Sequence, residues 1–413
     1  MERVTTVIIG AGQNGLAMSR ELTGREIDHV VLERGRIGNS WREERWEGLR
    51  LLSPNWLNDL PGHPYAGTDP EGFMSVSEFA ETLDRFAVAE SVPVRTGTAV
   101  NRVHAEAGRY VVETSTGAIA CDSVVIATGA CARSRLPSSA ADLPSFVHQT
   151  TPLAYKTPRD LPEGGVLVVG ASASGVQIAR QLRLAGRDVT VAVGAHTRLP
   201  RSYRGGDIMF WMERLGLLDL EYTEVDDLDR VRRTPSMQLM GDPEGRSIDL
   251  NALQDIGVRI VGRLAGAANG RAQFSGALAN ACATADLKLA RLLDAVDAWI
   301  SEHGFDELVA PPDRPAPTRL PATPRLALDF AADGISSVVW ATGYTPDHGF
   351  LDLPVFDAKG RIRHDGGVVA PGIYVMGLPF LRRRNSVHID GAGADARDLA
   401  NHLQTSLADR LAA

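Results

Sequence analysis

The chain has 413 residues, 44% of them hydrophobic and 23% charged; this is too long for one compact core, so two domains are expected. A formal net charge of −8 with no basic run argues against a binder of the nucleic-acid backbone, and Cys121, Cys131 and Cys282, with no C-x-x-C pair among them, do not support a zinc ribbon or a redox-active disulfide. No stretch approaches a membrane span, and the chain enters an apolar strand directly after Met1-Glu2-Arg3 with no room for a signal peptide, so a reducing cytoplasm with buried thiols is expected.

In chain order, residues 4–10 are an apolar run ending in glycine, residues 16–22 carry apolar side chains at helical spacing, and residues 29–33 form a second apolar run. This is a β-α-β start. Residues 108–121 alternate and turn as a hairpin does, and Ser123-Val-Val-Ile-Ala-Thr-Gly129 reads as a buried strand stopped by glycine. The β-α-β pattern then returns in Gly165-Val-Leu-Val-Val-Gly170, a helix through Leu184 and a strand over 188–193. An internal repeat of one fold is the economical reading. Residues 204–303 look mostly helical, with 277–300 the longest amphipathic run. The prolines between Asp306 and Pro324 mark a linker. A strand over 336–340 ends in Ala341-Thr342-Gly343, and Gly372-Ile-Tyr-Val-Met-Gly377 leads through a glycine-rich entry into a helix over about 394–411.

Gly10-Ala-Gly12-Gln13-Asn14-Gly15 lies between the first strand and the first helix, the context that gives this spacing a mechanism. Gly10 permits the tight turn, Gly12 lets the backbone approach a pyrophosphate, and Gly15 lets the helix pack against the strand. The pyrophosphate would rest on the helix N-terminus, where free N–H groups and the dipole favour an anion. Glu33, 18 residues after Gly15, would accept hydrogen bonds from ribose hydroxyls.

The second copy, Gly170-Ala-Ser172-Ala-Ser174-Gly175, carries Val193 where the first carries Glu33, 23 residues after the leading glycine in each. No carboxylate stands there. Arg198, Arg201 and Arg204 follow instead, and a guanidinium can grip the extra phosphate of NADP bidentately. NADPH is therefore expected over NADH, with Arg198 or Arg201 as the phosphate ligand. Ser172 and Ser174 read as phosphate contacts, because Gly-x-Ser-x-Ser-Gly lacks the final x-Gly of a nucleophile elbow. His148, His388 and His402 make no metal-ligand spacing, so no metal is expected. Arg382-Arg383-Arg384 reads as a solvated face, with contact to an anionic substrate or the NADPH ribose phosphate as the functional option.

The paired strand ends Ala127-Thr128-Gly129 and Ala341-Thr342-Gly343, with the two glycine loops, resemble those of the class B flavin-dependent monooxygenases, the group of flavin-containing monooxygenases, Baeyer–Villiger enzymes and N-hydroxylases. Gly38-Asn-Ser-Trp41-Arg42 is similar to the family's G-x-W-R turn beside the flavin, and Trp46-Glu-Gly-Leu-Arg50-Leu-Leu-Ser-Pro54-Asn55-Trp56 is similar to its L-R-L-x-T-P segment. Gly377-Leu-Pro-Phe-Leu-Arg382 with Asp390-Gly-Ala-Gly393-Ala-Asp395-Ala looks like the motif that closes over the flavin ring. The resemblance covers about the first 200 and the last 80 residues. It implies FAD held by Gly10, Gly12, Gln13, Asn14, Gly15, Glu33, Arg34, Trp41, Arg50, Ala127, Thr128, Gly129, Gly377 and Gly393. NADPH would be held by Gly170, Ser172, Ser174, Gly175, Arg198, Arg201, Thr342 and Gly343. It further implies that NADPH passes hydride to the flavin, that oxygen adds to give a flavin hydroperoxide, and that Asn55, the expected catalytic residue, keeps a hydrogen bond on the reactive flavin. The family's F-x-G-x-x-x-H-x-x-x-Y/F fingerprint is altered. Aligned on Tyr155-Lys156, it has Thr151 at the histidine position and Val147 at the glycine position, with His148 out of register.

The expected class is α/β, with two Rossmann-like dinucleotide-binding domains and a helical extension. Residues 1–157 would be the first part of the FAD domain and 326–413 its second part. Residues 158–325 would be the NADPH domain, with a helical insertion at about 205–305 and the proline-rich linker at about 306–324. The expected activity is monooxygenation of a small organic molecule at nitrogen, sulfur or a carbonyl, with no nucleic acid and no membrane as partners; a homodimer stays open. Two rivals also stay open: an NADPH-dependent flavoprotein reductase without oxygen insertion, which the altered fingerprint favours, and a non-catalytic flavin redox sensor.

Overall fold

The N-terminal apolar run forms the strand Glu2–Ile9, with His29–Leu32 parallel to it on one side and Gly117–Ile126 on the other. In the computed structural model, which describes residues 1–412, these strands are the centre of the first sheet. Val7, Ile8, Val31 and Val125 are almost wholly buried, which explains why the strands read as continuous apolar runs: both faces of a parallel sheet are covered. Val94–Arg95 extends the parallel row beyond His29–Leu32, and Ile373–Val375 extends it beyond Gly117–Ile126. The expected hairpin is present as Arg109–Thr114 against Gly117–Ile126, with Val100–Glu106 added outside it.

The second sheet repeats this plan. Its five strands run parallel in the order Arg259–Gly262, Val189–Val193, Gly165–Val169, Ile335–Trp340 and His148–Thr150. Position for position, this is the order 94–95, 29–32, 2–9, 117–126 and 373–375 of the first sheet. The helix Gln13–Thr23 follows the central strand of one sheet and Ala173–Leu184 that of the other.

The expected boundaries at 157/158 and 325/326 are corrected by these pairings. His148–Thr150 and Ile335–Trp340 both belong to the second sheet, so the chain crosses over after Gly129 and returns after Gly343. Sheet membership is decided by partners far away in sequence, and the proline-rich segment does not mark it. The two crossings lie side by side, because Arg133–Ser134 pairs antiparallel with Tyr344–Thr345. One two-stranded ribbon thus carries both connections.

The expectation of a mostly helical stretch over 205–305 is corrected as well. Ile208–Arg214, Leu250–Asp255 and Leu278–Glu302 are helices. However, Arg259–Gly262 is a sheet strand, and Leu264–Ala268, Arg271–Phe274 and Ala327–Asp329 form an antiparallel meander. Strands of four or five residues are too short for their alternation to stand out among alanines and glycines. The long helix keeps the predicted face: Leu278, Cys282, Ala285, Leu289, Leu293, Val296 and Ile300 are its buried residues, three or four apart.

Residues 309–323 hold no helix or strand, and they run as a strap along the long helix. Thr318 donates to Asp286 through N (2.8 Å) and Oγ1 (2.9 Å), and Arg314 pairs with Asp294 at 2.6 Å. The C-terminal helix Gly391–Ala412 starts three residues before the expected 394. Its Ala396, Leu399 and Leu403 are buried in one cluster with Leu16 and Leu22 of the first helix. Among the described residues no helix is long and apolar enough to cross a membrane.

Candidate functional site

Each sheet ends in a turn of the same shape. Gly10 has φ +106° and Gly170 φ +115°, in the left-handed half of the map that favours glycine. Gly10 N–H donates to Leu32 O (2.8 Å) and Gly170 N–H to Ala192 O (3.0 Å). A Cβ on Gly15 would lie 1.9 Å from Gly10 O, and one on Gly175 would lie 2.0 Å from Gly170 O. Those glycines are required by the close approach of helix to strand. The residues between them match too: Gly12 sits at φ −86°, ψ −174° and Ser172 at φ −86°, ψ −176°, each an N-cap without a side-chain capping bond. Neither helix has an acidic residue in its first turn, so both N-termini present free N–H groups with nothing opposing an anion. A Cβ on Gly12 would find nothing within 4 Å. That open cradle is the space a pyrophosphate would fill.

The two Ala-Thr-Gly motifs have one structural job each. The Cβ that Gly10 lacks would lie 2.8 Å from Ala127 O, and the one Gly170 lacks would lie 2.2 Å from Ala341 O. The strand ends press against the first glycine of their own loop, then lead into the connecting ribbon. Gly129 (φ +75°) and Gly343 (φ +94°) have open space beside them, and Thr128 Oγ1 is buried without a partner. Thr342 Oγ1 donates to Arg135 O.

Around the first loop, Glu33 is buried, and its two oxygens accept from Ala11 N (2.9 Å) and Gly35 N (3.0 Å). This fixes the carboxylate at the mouth of the loop, and each oxygen keeps a lone pair for a further donor. Trp41 Nε1 donates to Gln13 Oε1 at 3.2 Å. Asn14 is buried with Oδ1 unpartnered. Its Nδ2 is 2.6 Å from where a Cβ on Gly377 would be, so the tail motif meets the first helix there. Gly393 meets Pro61 in the same way, at 2.8 Å. Arg34 points outward and pairs with Glu44.

Three expected roles are corrected. Arg198, the first proposed phosphate ligand, is buried; it bonds Asp249 (2.6 and 2.9 Å), Asp286 (2.7 Å) and Ala316 O (2.9 Å). Arg201 is only 2% exposed and is held by Asp207 (2.5 Å), Leu52 O (2.7 Å) and Met240 O (3.3 Å). Arg204 is likewise turned inward to Asp297 and Ala310 O. Arg198 and Arg204 tie the strap and the long helix to the second fold, and all three guanidinium groups are turned into the protein. Asn55, the expected catalytic residue, is buried and bonded at both ends of its amide: Nδ2 donates to Asp69 O (2.8 Å) and Oδ1 accepts from Met74 N (2.9 Å). It braces the 69–74 loop.

Arg50 donates to Phe73 O at 2.6 Å and lines a cavity of about 270 Å³ with Trp46, Gln177, Arg180, Met240 and Asp242. That cavity lies between the two folds; a larger cleft of about 640 Å³ lies beside Tyr110, Val355 and His364, and neither is lined by a residue of a glycine loop. Tyr155 and Lys156 sit at the same seam. Tyr155 OH donates to Gln181 Oε1 (2.8 Å), and Lys156 Nζ donates to the carbonyls of Glu43 and Arg45. Val147 is packed in the core of the second sheet, and Thr151 O closes a turn onto Ala154 and Tyr155.

Sequence reasoning did not single out Tyr344 or Gln238 at these places. Tyr344 OH is 3.0 Å from Ser174 Oγ, and Gln238 Nε2 donates to Ala171 O at 2.7 Å. Tyr344 directly follows the second Ala-Thr-Gly, a signal available in the sequence. Asn385 Nδ2 bridges Asp219 (3.1 Å) and Asp390 (3.0 Å) at the entry to the C-terminal helix. Burial pushes the Asp390 carboxyl up to about 7 and the neighbouring His388 imidazole down to about 4. Oxygen or nitrogen atoms of Asn385, His388, Asp390 and Asp395 there are buried without a partner. Of the arginine run, Arg382 and Arg383 pair with Asp398 and Asp395, while Arg384 lies over the Phe380 ring.

The family model of the pyridine nucleotide-disulphide oxidoreductases matches residues 7–205. A CzcO-like oxidoreductase of Geobacillus kaustophilus is 29% identical over 404 residues, covering 97% of this chain and 98% of its own length. The indole-3-pyruvate monooxygenase YUCCA1 of Oryza sativa subsp. japonica is 28% identical over 249 residues, covering 57% of this chain and 58% of its own length. Among solved structures, a flavin-containing monooxygenase from Stenotrophomonas maltophilia superposes with a TM-score of 0.68 at 18% identity, covering 98% of this chain and 99% of the other.

Proposed function

We propose that the chain, which carries two dinucleotide-binding folds and has the fold of a flavin-containing monooxygenase, is an oxidoreductase of that kind: it binds FAD in the first cradle and NADPH in the second and oxygenates a small organic molecule. The observation that carries this reading is the pair of superposable cradles joined by one ribbon. The flavin supplies a ring that accepts hydride from the nicotinamide and, once reduced, delivers electrons to oxygen. The protein's share is positioning. Gly12 and the N-terminus of Gln13–Thr23 receive the FAD pyrophosphate, and the fixed Glu33 carboxylate accepts from its ribose. Ser172 and the N-terminus of Ala173–Leu184 receive the second pyrophosphate. Ser174 and Tyr344, hydrogen-bonded to each other, hold the mouth of that cradle against the ribbon. The residues around Asn385, with their unpartnered buried atoms, close the flavin end near the start of the C-terminal helix. The substrate would enter at the seam between the folds, where Arg50 lies.

The test is spectroscopic and isotopic. The purified protein should be yellow, should bleach with NADPH in the absence of air, and should place label from ¹⁸O₂ into one product of a panel of carbonyl, amine and thioether compounds. A second reading, a reductase that passes electrons to an organic acceptor, is favoured by Val147 and Thr151 at the two altered fingerprint positions. NADPH oxidation that appears quantitatively as reduced acceptor, with no labelled product, would select it. A protein that binds flavin but is never reduced by NADPH would be the redox sensor.

A further inference from the structure

With Arg198, Arg201 and Arg204 turned inward, the question of what would meet a 2′-phosphate in the second fold reopens. The register of the two sheets locates the place. Ile9, just before the first loop, pairs with Leu32, and Val169, just before the second, pairs with Ala192. Glu33 and Val193 are therefore equivalent, and both stand where an adenosine ribose reaches the end of the second strand. Val193 pairs in turn with Gly262 on the next strand, so Gly194 and Arg263 are lateral neighbours just beyond the strand ends.

A Cβ on Gly194 would lie 3.7 Å from Arg263 Cγ and 3.8 Å from its Cδ. The Arg263 stem is thus laid against Gly194. Its backbone is pinned, with O accepting from Ser275 N at 2.8 Å, while its side chain is exposed. Every side-chain hydrogen bond and ion pair of Arg198, Arg201 and Arg204 is internal. Arg263 has neither among the described residues, and no acidic side chain faces it across an ion pair. An arginine free of partners, held at its backbone and placed beside the ribose end of a cradle that lacks the carboxylate, is suited to a phosphate dianion.

We propose that Arg263 recognises the 2′-phosphate of NADP(H) and so sets the preference for NADP(H) over NAD(H). This rests on the reading of the second cradle as a dinucleotide site, and the experiment separates the two. The flavin-loaded full chain, its Arg263→Ala variant and its Arg263→Lys variant are titrated by calorimetry with NADP⁺, NAD⁺, adenosine 2′,5′-bisphosphate and 5′-AMP. An exposed, unpaired side chain is not needed for folding, so melting curves of all three proteins should coincide.

The expected result is that Arg263→Ala weakens NADP⁺ and the bisphosphate by roughly tenfold or more and leaves NAD⁺ and 5′-AMP within about twofold. Arg263→Lys should keep part of the preference, because a point charge replaces a fork. Raised salt should narrow the wild-type gap between the two nucleotides and not that of the alanine variant. If Arg263→Ala keeps the wild-type preference, or the wild type shows none, the assignment to Arg263 is overturned while the dinucleotide site stands. If the wild type binds none of the four probes, the reading beneath it fails and the proposal with it.

Discussion

The two cradles share one backbone and differ in what stands around it. Gly10, Gly12 and Gly15 superpose in conformation on Gly170, Ser172 and Gly175, down to the Cβ that would strike a carbonyl about 2 Å away at the third position. One strand over, the likeness ends: Glu33 is clamped by two backbone N–H groups, whereas Val193 is followed by a bare glycine with Arg263 against it. The loop supplies the generic part of recognition, an approachable backbone and a helix N-terminus. On the proposal made for Arg263, the end of the second strand would supply the selective part. A duplicated fold can thus take two different nucleotides by changing residues outside the glycine motif.

The comparison can be broken one cradle at a time. Gly15→Ala and Gly175→Ala each drive a methyl into a carbonyl oxygen that cannot move away, and each should lower stability by about 4 kcal/mol. Their phenotypes should differ: Gly15→Ala should purify colourless, whereas Gly175→Ala should keep its flavin and lose NADP⁺ binding in a titration. If both variants lose flavin equally, the folds are not independent sites. The inward arginines give the next effect. Arg198→Ala leaves Asp249 and Asp286 without their cation in a buried setting and should cost about 3 kcal/mol in denaturant unfolding, with the NADP⁺ to NAD⁺ affinity ratio unchanged. A shift in that ratio without loss of stability would restore the phosphate role that the structure denies.

That reversal shows what a sequence can and cannot disclose. Both β-α-β units were readable because buried parallel strands are continuous apolar runs and because glycine spacing reports a steric demand made within six residues. The side-by-side pairing of Arg133–Ser134 with Tyr344–Thr345 was not readable, since neither segment carries a pattern of its own. The arginines misled for a related reason. Placement after a strand end suggests a ligand, but the carboxylates that hold Arg198 lie 51 and 88 residues further on, across a stretch whose short strands passed for helix. Asn55 shows the same limit: its amide bonds backbone groups of Asp69 and Met74, partners that no spacing announces. Arg263 carries no motif at all and becomes conspicuous only through the strand register.

The C-terminal closure gives a smaller effect with a defined pH sign. Burial raises the Asp390 carboxyl from 3.8 to about 7, so the folded protein keeps a proton that the unfolded chain releases. The stability linked to this group is therefore present at low pH and is lost as pH rises from about 4 to about 7. His388 acts in the opposite sense: its imidazole is lowered from 6.5 to about 4, and its share is lost as pH falls through that window. Asp390→Asn removes one of the two opposed groups. The stability gap between variant and wild type should therefore move in the variant's favour by on the order of 3 kcal/mol between pH 4 and pH 7. Parallel melting curves across that range would show that Asp390 titrates normally.

The smallest effect concerns the middle position of the loops, Gly12 in the first and Ser172 in the second. Ser172 makes no capping hydrogen bond and sits in an extended conformation open to any residue, so Ser172→Gly should change stability by only a few tenths of a kcal/mol and NADP⁺ affinity by less than about twofold. Gly12→Ala is the informative partner. Its φ of −86° imposes no strain and its Cβ would meet no protein atom, so the apoprotein should melt with the wild type. Loss of FAD affinity in that variant would then come from the ligand's own approach to the backbone at Gly12, closer than the second cradle allows past Ser172. If Gly12→Ala binds FAD as the wild type does, the two cradles hold their pyrophosphates at the same distance, and the middle glycine distinguishes nothing between them.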